Sequence, residues 1–179
     1  MSRLVAVNQV SDIFPRYRDT PVGRFLEYHN LGRPFDVYPK AELLIGMCMD
    51  NRKHLNAPDL FAFIIRAAGA NMRTSEFKIS FAVAVGGVRA MALIGHTQCG
   101  MVKLPTKREK FIEGLVEAGW TREAAAVHFE QNVAFSEIGD EETFTLSEAA
   151  RLRARYPKLL IAPMIYKVED NRLYLLKED

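Results

Sequence analysis

The chain has few cysteines, little excess charge and no long apolar run, and each shortage excludes a class of protein. Two cysteines among 179 residues exclude a disulfide-stapled scaffold and a closed four-cysteine zinc site. The net charge is only +2, with acidic and basic residues interspersed, so no nucleic-acid partner and no anionic membrane are expected. The longest apolar stretch, residues 79–95, is interrupted by Gly86, Gly87 and Arg89, which predicts no membrane span.

The N-terminus and the cysteine usage together indicate a reducing compartment. The first ten residues lack the basic start and apolar run of a secretory signal, so we expect a cytoplasmic protein. Thiols stay free there and are available to metals, although a Cys48–Cys99 disulfide is an alternative that this setting disfavours. The length predicts one domain over residues 1–179.

Short apolar runs that alternate with helical patterns predict an α/β domain, with a mostly parallel central sheet flanked by helices. Three runs, at residues 43–47, 61–65 and 90–95, are interpreted as strands buried on both faces. A turn at Asp170 and Asn171 predicts that the chain closes with a strand hairpin.

The helices are predicted from their capping residues. Thr20 and Gly32 suit the start and the stop of a helix in the N-terminal arm. The segment 107–155 is mostly helical, and Thr145 with Glu148 is interpreted as the capping box of its last helix.

Two clusters of reactive side chains directly follow two of the predicted strands. The sequence Cys-Met-Asp-Asn-Arg at residues 48–52 follows the run 43–47, and His-Thr-Gln-Cys at residues 96–99 follows the run 90–95. Functional residues of parallel sheets gather beyond the carboxyl ends of the strands. We therefore expect the two clusters to meet at one edge of the sheet.

The candidate metal ligands in these clusters are Cys48, His96 and Cys99. Two thiolates and one imidazole are good zinc ligands, and three protein ligands leave the fourth position free for water. This ligand count is typical of a catalytic zinc site, whereas a structural site would need a fourth cysteine or histidine.

Asp50 and Arg52 are the candidate catalytic pair. Residues two apart on an extended segment face the same way, so both side chains are expected on the side of Cys48. A carboxylate there can orient the zinc-bound water, and the guanidinium can hold it ionised and away from the metal. Two alternatives are a surface ion pair of little energetic value, and Asp50 itself as the fourth zinc ligand.

These motifs resemble those of the beta-class carbonic anhydrases, which carry Cys-x-Asp-x-Arg after the first core strand and His-x-x-Cys after a later one. The segment Arg-Ala-Ala-Gly at residues 66–69 looks like the family's Arg-Asn-Ala-Gly. The resemblance covers roughly residues 43–102 and implies the family's parallel sheet flanked by helices.

The resemblance also implies a reaction and its residues. Cys48, His96 and Cys99 would bind one Zn²⁺ per subunit, and Asp50 with Arg52 would form the catalytic dyad. The implied reaction is reversible hydration of carbon dioxide to bicarbonate and a proton, by attack of zinc-bound hydroxide. The alternatives are hydrolysis of carbonyl sulfide or carbon disulfide at the same site, and a non-catalytic zinc- or bicarbonate-binding protein.

The family resemblance implies a homodimer or higher homo-oligomer, with the N-terminal arm at residues 1–40 packing on a partner subunit. Three departures distinguish this chain from the family pattern. Ala67 stands where the family usually has asparagine, Gln98 replaces a frequent aspartate, and the segment 53–65 is shorter than usual.

Overall fold

A computed structural model describes residues 3–178 of the chain. Met1, Ser2 and Asp179, which belong to the predicted single domain, lie outside the described residues. The strands are β1 (Leu4–Ala6), β2 (Leu43–Met47), β3 (Ala62–Arg66), β4 (Ala90–His96), β5 (Leu160–Lys167) and β6 (Arg172–Leu176). The helices are α1 (Pro21–Leu31), α2 (Glu76–Ala84), α3 (Arg108–Glu117), α4 (Arg122–Ser136) and α5 (Glu141–Arg155). No helix within residues 3–178 is both long and apolar enough to cross a membrane.

The strands form one six-stranded sheet in the order β1-β6-β5-β4-β2-β3. Strands β3, β2, β4 and β5 run parallel, whereas β6 pairs antiparallel with both β5 and β1. The predicted α/β class and the C-terminal hairpin are confirmed, although the sheet is mixed because β6 reverses direction. Strand β1, which pairs with β6, was not predicted from the sequence.

The central strands are buried because helices cover both faces of the sheet. Side chains alternate across a strand, so Leu43 and Ile45 pack beside Phe25 of α1, on one face. Leu44 packs on the opposite face, in the cluster that holds Ile79 of α2 and residues of α5. These two layers fix the ends of β2 and β4, where the reactive clusters begin.

The prediction that the run 61–65 is buried on both faces was wrong. Strand β3 lies at the edge of the sheet and, among the described strands, pairs only with β2. Ile64 is 54% exposed and Phe63 is also exposed, so an apolar composition here does not mean burial within the chain.

The N-terminal helix forms as its capping residues predict. The Thr20 side chain accepts a hydrogen bond from the Gly23 amide, Pro21 takes the first helical position, and Gly32 ends the helix with a φ of 69°. Helix α1 buries Phe25 and three other side chains against the chain's own sheet. Packing of the arm at residues 1–40 on a partner stays a prediction.

The predicted capping box at the last helix was wrong. Helix α5 begins at Glu141, because Asp140 caps it by accepting from the Thr143 amide at 2.8 Å. Thr145 and Glu148 therefore lie inside the helix, and both are buried.

Candidate metal centre

The fold brings Cys48, His96 and Cys99 to one place at the carboxyl edge of the parallel strands. Cys48 directly follows β2, and His96 is the last residue of β4, the strand hydrogen-bonded to β2. One ligand atom from each of the three lies within 4.8 Å of the other two, and all three residues are buried. Their grouping has the size and the composition that a metal ion needs.

The His96 ring has one nitrogen with a partner and one without. Nδ1 lies 2.9 Å from the Thr97 carbonyl oxygen. Because a carbonyl only accepts, Nδ1 carries the proton and Nε2 keeps a free lone pair. Nε2 is buried and has no hydrogen-bond partner within residues 3–178. A buried unpaired nitrogen is unfavourable, and a cation bound between this atom and the two sulfurs would satisfy it.

The sulfurs of Cys48 and Cys99 lie within 4.8 Å of each other and shift each other's pKa in opposite directions. A hydrogen bond between them lowers the pKa of the Cys48 thiol and raises the pKa of the Cys99 thiol. The Gly69 amide also donates to the Cys48 sulfur at 3.2 Å. A divalent cation bound between them would hold both sulfurs as thiolates.

Gly69 can approach Cys48 only because it lacks a side chain. Its φ is 65°, in the left-handed region that favours glycine, and a Cβ there would lie 2.6 Å from Ile138 Cγ2. Ile138 and the partly buried Met101 and Phe144 pack around the two thiols. The surroundings of the sulfurs are therefore apolar, a property that the sequence motifs did not reveal.

Asp50 and Arg52 form a close ion pair beside the three candidate ligands. Arg52 Nε lies 3.1 and 3.2 Å from the two carboxylate oxygens, and Nη2 lies 2.8 Å from Oδ2. The Arg52 amide also donates to Oδ1 at 2.9 Å, so a turn, rather than the extended segment assumed from the sequence, brings the pair together. The Arg52 guanidinium holds the pKa of the Asp50 carboxyl well below its usual range.

A second layer of hydrogen bonds holds Arg52. Its Nη1 and Nη2 donate to the side-chain and main-chain oxygens of Gln98, at 3.2 and 3.0 Å. Gln98 Nε2 donates in turn to Glu169 at 2.9 Å, and the Thr97 hydroxyl donates to the same carboxylate at 2.7 Å. Gln98 thus links the ion pair to the β5–β6 turn. Nothing in the sequence indicated that Glu169 belongs to this site, because it lies 71 residues from Gln98.

Two further cations reach the main chain at Asp50. Lys53 Nζ donates to the Asp50 carbonyl oxygen at 2.9 Å, and Arg66 Nη1 lies 3.3 Å from the carbonyl oxygens of Cys48 and Asp50. Arg66 ends strand β3 and belongs to the segment that resembles the family motif. The sequence did not identify Lys53 as part of the site, because nothing in its spacing distinguishes it from a surface lysine.

Comparisons with known proteins point to one family. The sequence profile described as carbonic anhydrase matches residues 44–176 of the chain. The solved structure of a carbonic anhydrase from Glaciozyma antarctica is 24% identical, with a TM-score of 0.63 over 81% of this chain and 87% of that one. No curated protein sequence matches the chain significantly.

Two other solved structures share the fold at lower identity. The beta-carbonic anhydrase isoform I from Trichomonas vaginalis is 14% identical, with a TM-score of 0.66 over 82% of this chain and 90% of that one. The apo form of a carbon disulfide hydrolase is 19% identical, with a TM-score of 0.58 over 78% of this chain and 80% of that one.

Proposed function

The chain belongs to the beta-class carbonic anhydrase family, and on that premise we propose that it is a zinc enzyme that reversibly hydrates carbon dioxide to bicarbonate and a proton. One observation carries the proposal: a buried Cys48, His96 and Cys99 group has an ionised Asp50 and its Arg52 partner beside it. A purely structural zinc site does not need an ion pair beside its ligands.

The donor set fits zinc. Two sulfurs and one imidazole nitrogen are ligands that Zn²⁺ prefers, and they leave one position for solvent or substrate. When bound, zinc lowers the pKa of a bound water to about 7 and so supplies hydroxide at neutral pH. The unpaired Nε2 of His96 and the close approach of the two buried sulfurs are the features of this chain that support such a cation.

Asp50 and Arg52 have separate tasks in this proposal. Asp50 is ionised, and it would accept a hydrogen bond from the attacking water and so aim the lone pair of that water at carbon dioxide. Arg52 contacts both carboxylate oxygens and would thereby keep Asp50 from binding the cation itself. Carbon dioxide is apolar, and the apolar side chains Ile138, Met101 and Phe144 offer it a dry surface beside the sulfurs.

Stopped-flow measurement of carbon dioxide hydration tests the proposed reaction. The zinc-loaded protein is expected to exceed the uncatalysed rate, to lose that excess when a chelator removes the metal, and to regain it when zinc is restored. A zinc-loaded protein with only the uncatalysed rate would contradict the proposal.

Hydrolysis of carbonyl sulfide or carbon disulfide is the second candidate. It is favoured by the fold that the chain shares with the carbon disulfide hydrolase, and its substrates are also small, linear molecules with an electrophilic carbon. Release of sulfide from carbon disulfide, faster than hydration of carbon dioxide by the same sample, would favour this candidate.

We also propose that the protein is a homodimer or a higher homo-oligomer through an apolar edge face, formed by Phe63 and Ile64 of β3 and Phe77 and Phe81 of α2. All four side chains are exposed, and Phe77 is 83% exposed. An edge strand beside a large apolar patch is typical of an interface.

Replacing Phe77 by Asp is expected to convert the oligomer into monomers, because the carboxylate would be buried unpaired in the interface. Light scattering after size exclusion measures the change. Val127→Asp, at an exposed apolar residue of α4, is the matched control and should keep the wild-type mass. A wild-type mass for the Phe77 variant as well would exclude this face as the interface.

A further inference from the structure

Lys53 is buried beside the candidate metal centre, which is unusual for a lysine. Its side chain is 0% exposed, and its Nζ lies 2.9 Å from the Asp50 carbonyl oxygen and 3.8 Å from Asp50 Oδ1. Within residues 3–178, that carbonyl oxygen is the one protein acceptor at hydrogen-bond distance from Nζ.

Burial of this ammonium is unfavourable for folding. Removal of a charge from water costs free energy that one hydrogen bond and a carboxylate at 3.8 Å only partly offset. Burial accordingly lowers the pKa of Lys53, although Cys48 and Asp50 act in the opposite direction. A methionine has nearly the same length and would fill the same space without a charge. Filling this space does not by itself call for an ammonium, which directs attention to the site beside it.

Three basic side chains contact Asp50, and they bind different parts of it. Arg52 binds the carboxylate, whereas Lys53 and Arg66 both bind the carbonyl oxygen of the same residue. Lys53 reaches that oxygen from the protein interior, and Arg66 reaches it from an exposed position on β3. The Lys53 side chain is fully enclosed by protein, whereas the side chains of Arg52 and Arg66 are exposed. Lys53 is therefore the one of the three anchors whose position is set by packing.

We propose that Lys53 is a positioning residue, whose buried ammonium fixes the main chain at Asp50 and thereby fixes where the Asp50 carboxylate lies relative to Cys48, His96 and Cys99. Lys53 acts through Asp50 and does not touch the substrate. Its effect on turnover rests on the proposed function, whereas its effect on the geometry of the turn does not.

The experiment compares the full-length zinc-loaded wild type with Lys53→Met and Lys53→Gln. Methionine removes both the charge and the donor, whereas glutamine removes the charge but keeps a side-chain donor. Lys177→Met, at an exposed lysine, is the matched control. Each protein is measured for zinc content, free energy of unfolding, kcat and KM, and hydrogen exchange of the amide of Arg52, which donates to Asp50 Oδ1.

For Lys53→Met we expect wild-type zinc content and an unfolding free energy equal to or above that of the wild type, because a buried charge has been removed. The exchange of the Arg52 amide should accelerate about tenfold. The kcat should fall at least tenfold with KM within about twofold, since misplacement of a catalytic group acts on the transition state. Lys53→Gln should show a smaller acceleration of exchange and a smaller fall in kcat than Lys53→Met. The control, Lys177→Met, should match the wild type in both.

Two outcomes would overturn the proposal. Wild-type exchange and kcat in Lys53→Met would show that the ammonium positions nothing. A fall in kcat that is accompanied by a similar loss of zinc or of unfolding free energy would show a merely structural role. If the methionine variant does not fold, the glutamine variant decides by the same criteria. If the wild type does not hydrate carbon dioxide, the proposed function fails, and the exchange rates still decide the role of Lys53.

Discussion

Replacement of His96 by Ala should weaken zinc binding by at least a thousandfold, which corresponds to about 4 kcal/mol. His96 supplies the nitrogen donor among the three candidate ligands, and its Nε2 is the buried atom that lacks a partner. Without it, two sulfurs alone face the cation, and water must complete the coordination. The affinity can be measured by competition with a chromogenic chelator.

His128→Ala is the matched control for this measurement. His128 is an exposed histidine on helix α4, outside the cluster that surrounds the thiols. Its replacement should leave the zinc affinity unchanged. An affinity of the His96 variant within a few fold of the wild type would remove His96 from the ligand set.

Asp50→Asn should lower kcat by about a hundredfold to ten-thousandfold, the usual range for loss of a positioned acid or base. The asparagine is nearly isosteric, but it is neutral, and its amide presents a donor where the carboxylate accepts. The ion pair with Arg52 is lost in the same step. Zinc content should stay at the wild-type value, because Asp50 is held by Arg52 and is not among the three candidate ligands. Stopped-flow hydration on metal-analysed samples measures both quantities.

Asp59→Asn provides the comparison for this variant, since Asp59 is an exposed carboxylate in the loop that follows the ion pair. It should retain the wild-type kcat. A kcat of the Asp50 variant within threefold of the wild type would show that the carboxylate is not needed for turnover. Loss of zinc from the Asp50 variant would instead indicate that Asp50 is itself a ligand.

The fold was largely predictable because its central strands are buried on both faces. Strands β2 and β4 are short apolar runs, and their burial follows from helices on either side. The edge strand β3 has the same composition, so the sequence could not distinguish it from a central strand. Strand β1 was missed because it has three residues and pairs with β6, at the other end of the chain. The prediction of a capping box at Thr145 and Glu148 was wrong because Asp140, which is also a good N-cap residue, lies earlier in the chain and begins the helix.

The candidate site was predictable as far as it depends on strand ends. Residues that directly follow parallel strands must lie at one edge of the sheet, so Cys48 and His96 could be placed together from the sequence. Glu169 and Lys53 depend instead on how distant loops pack, and neither has a local pattern. Lysine is most often a surface residue, so its burial becomes visible only in three dimensions.

X-ray absorption at the zinc edge of the purified wild-type protein, together with its metal content, tests the central claim most directly. We expect one zinc per chain, with two sulfur ligands at about 2.3 Å and lighter donors that include one imidazole nitrogen. Purified protein that contains no zinc and takes none up, or zinc surrounded only by oxygen and nitrogen, would contradict the assignment of Cys48, His96 and Cys99 as its ligands.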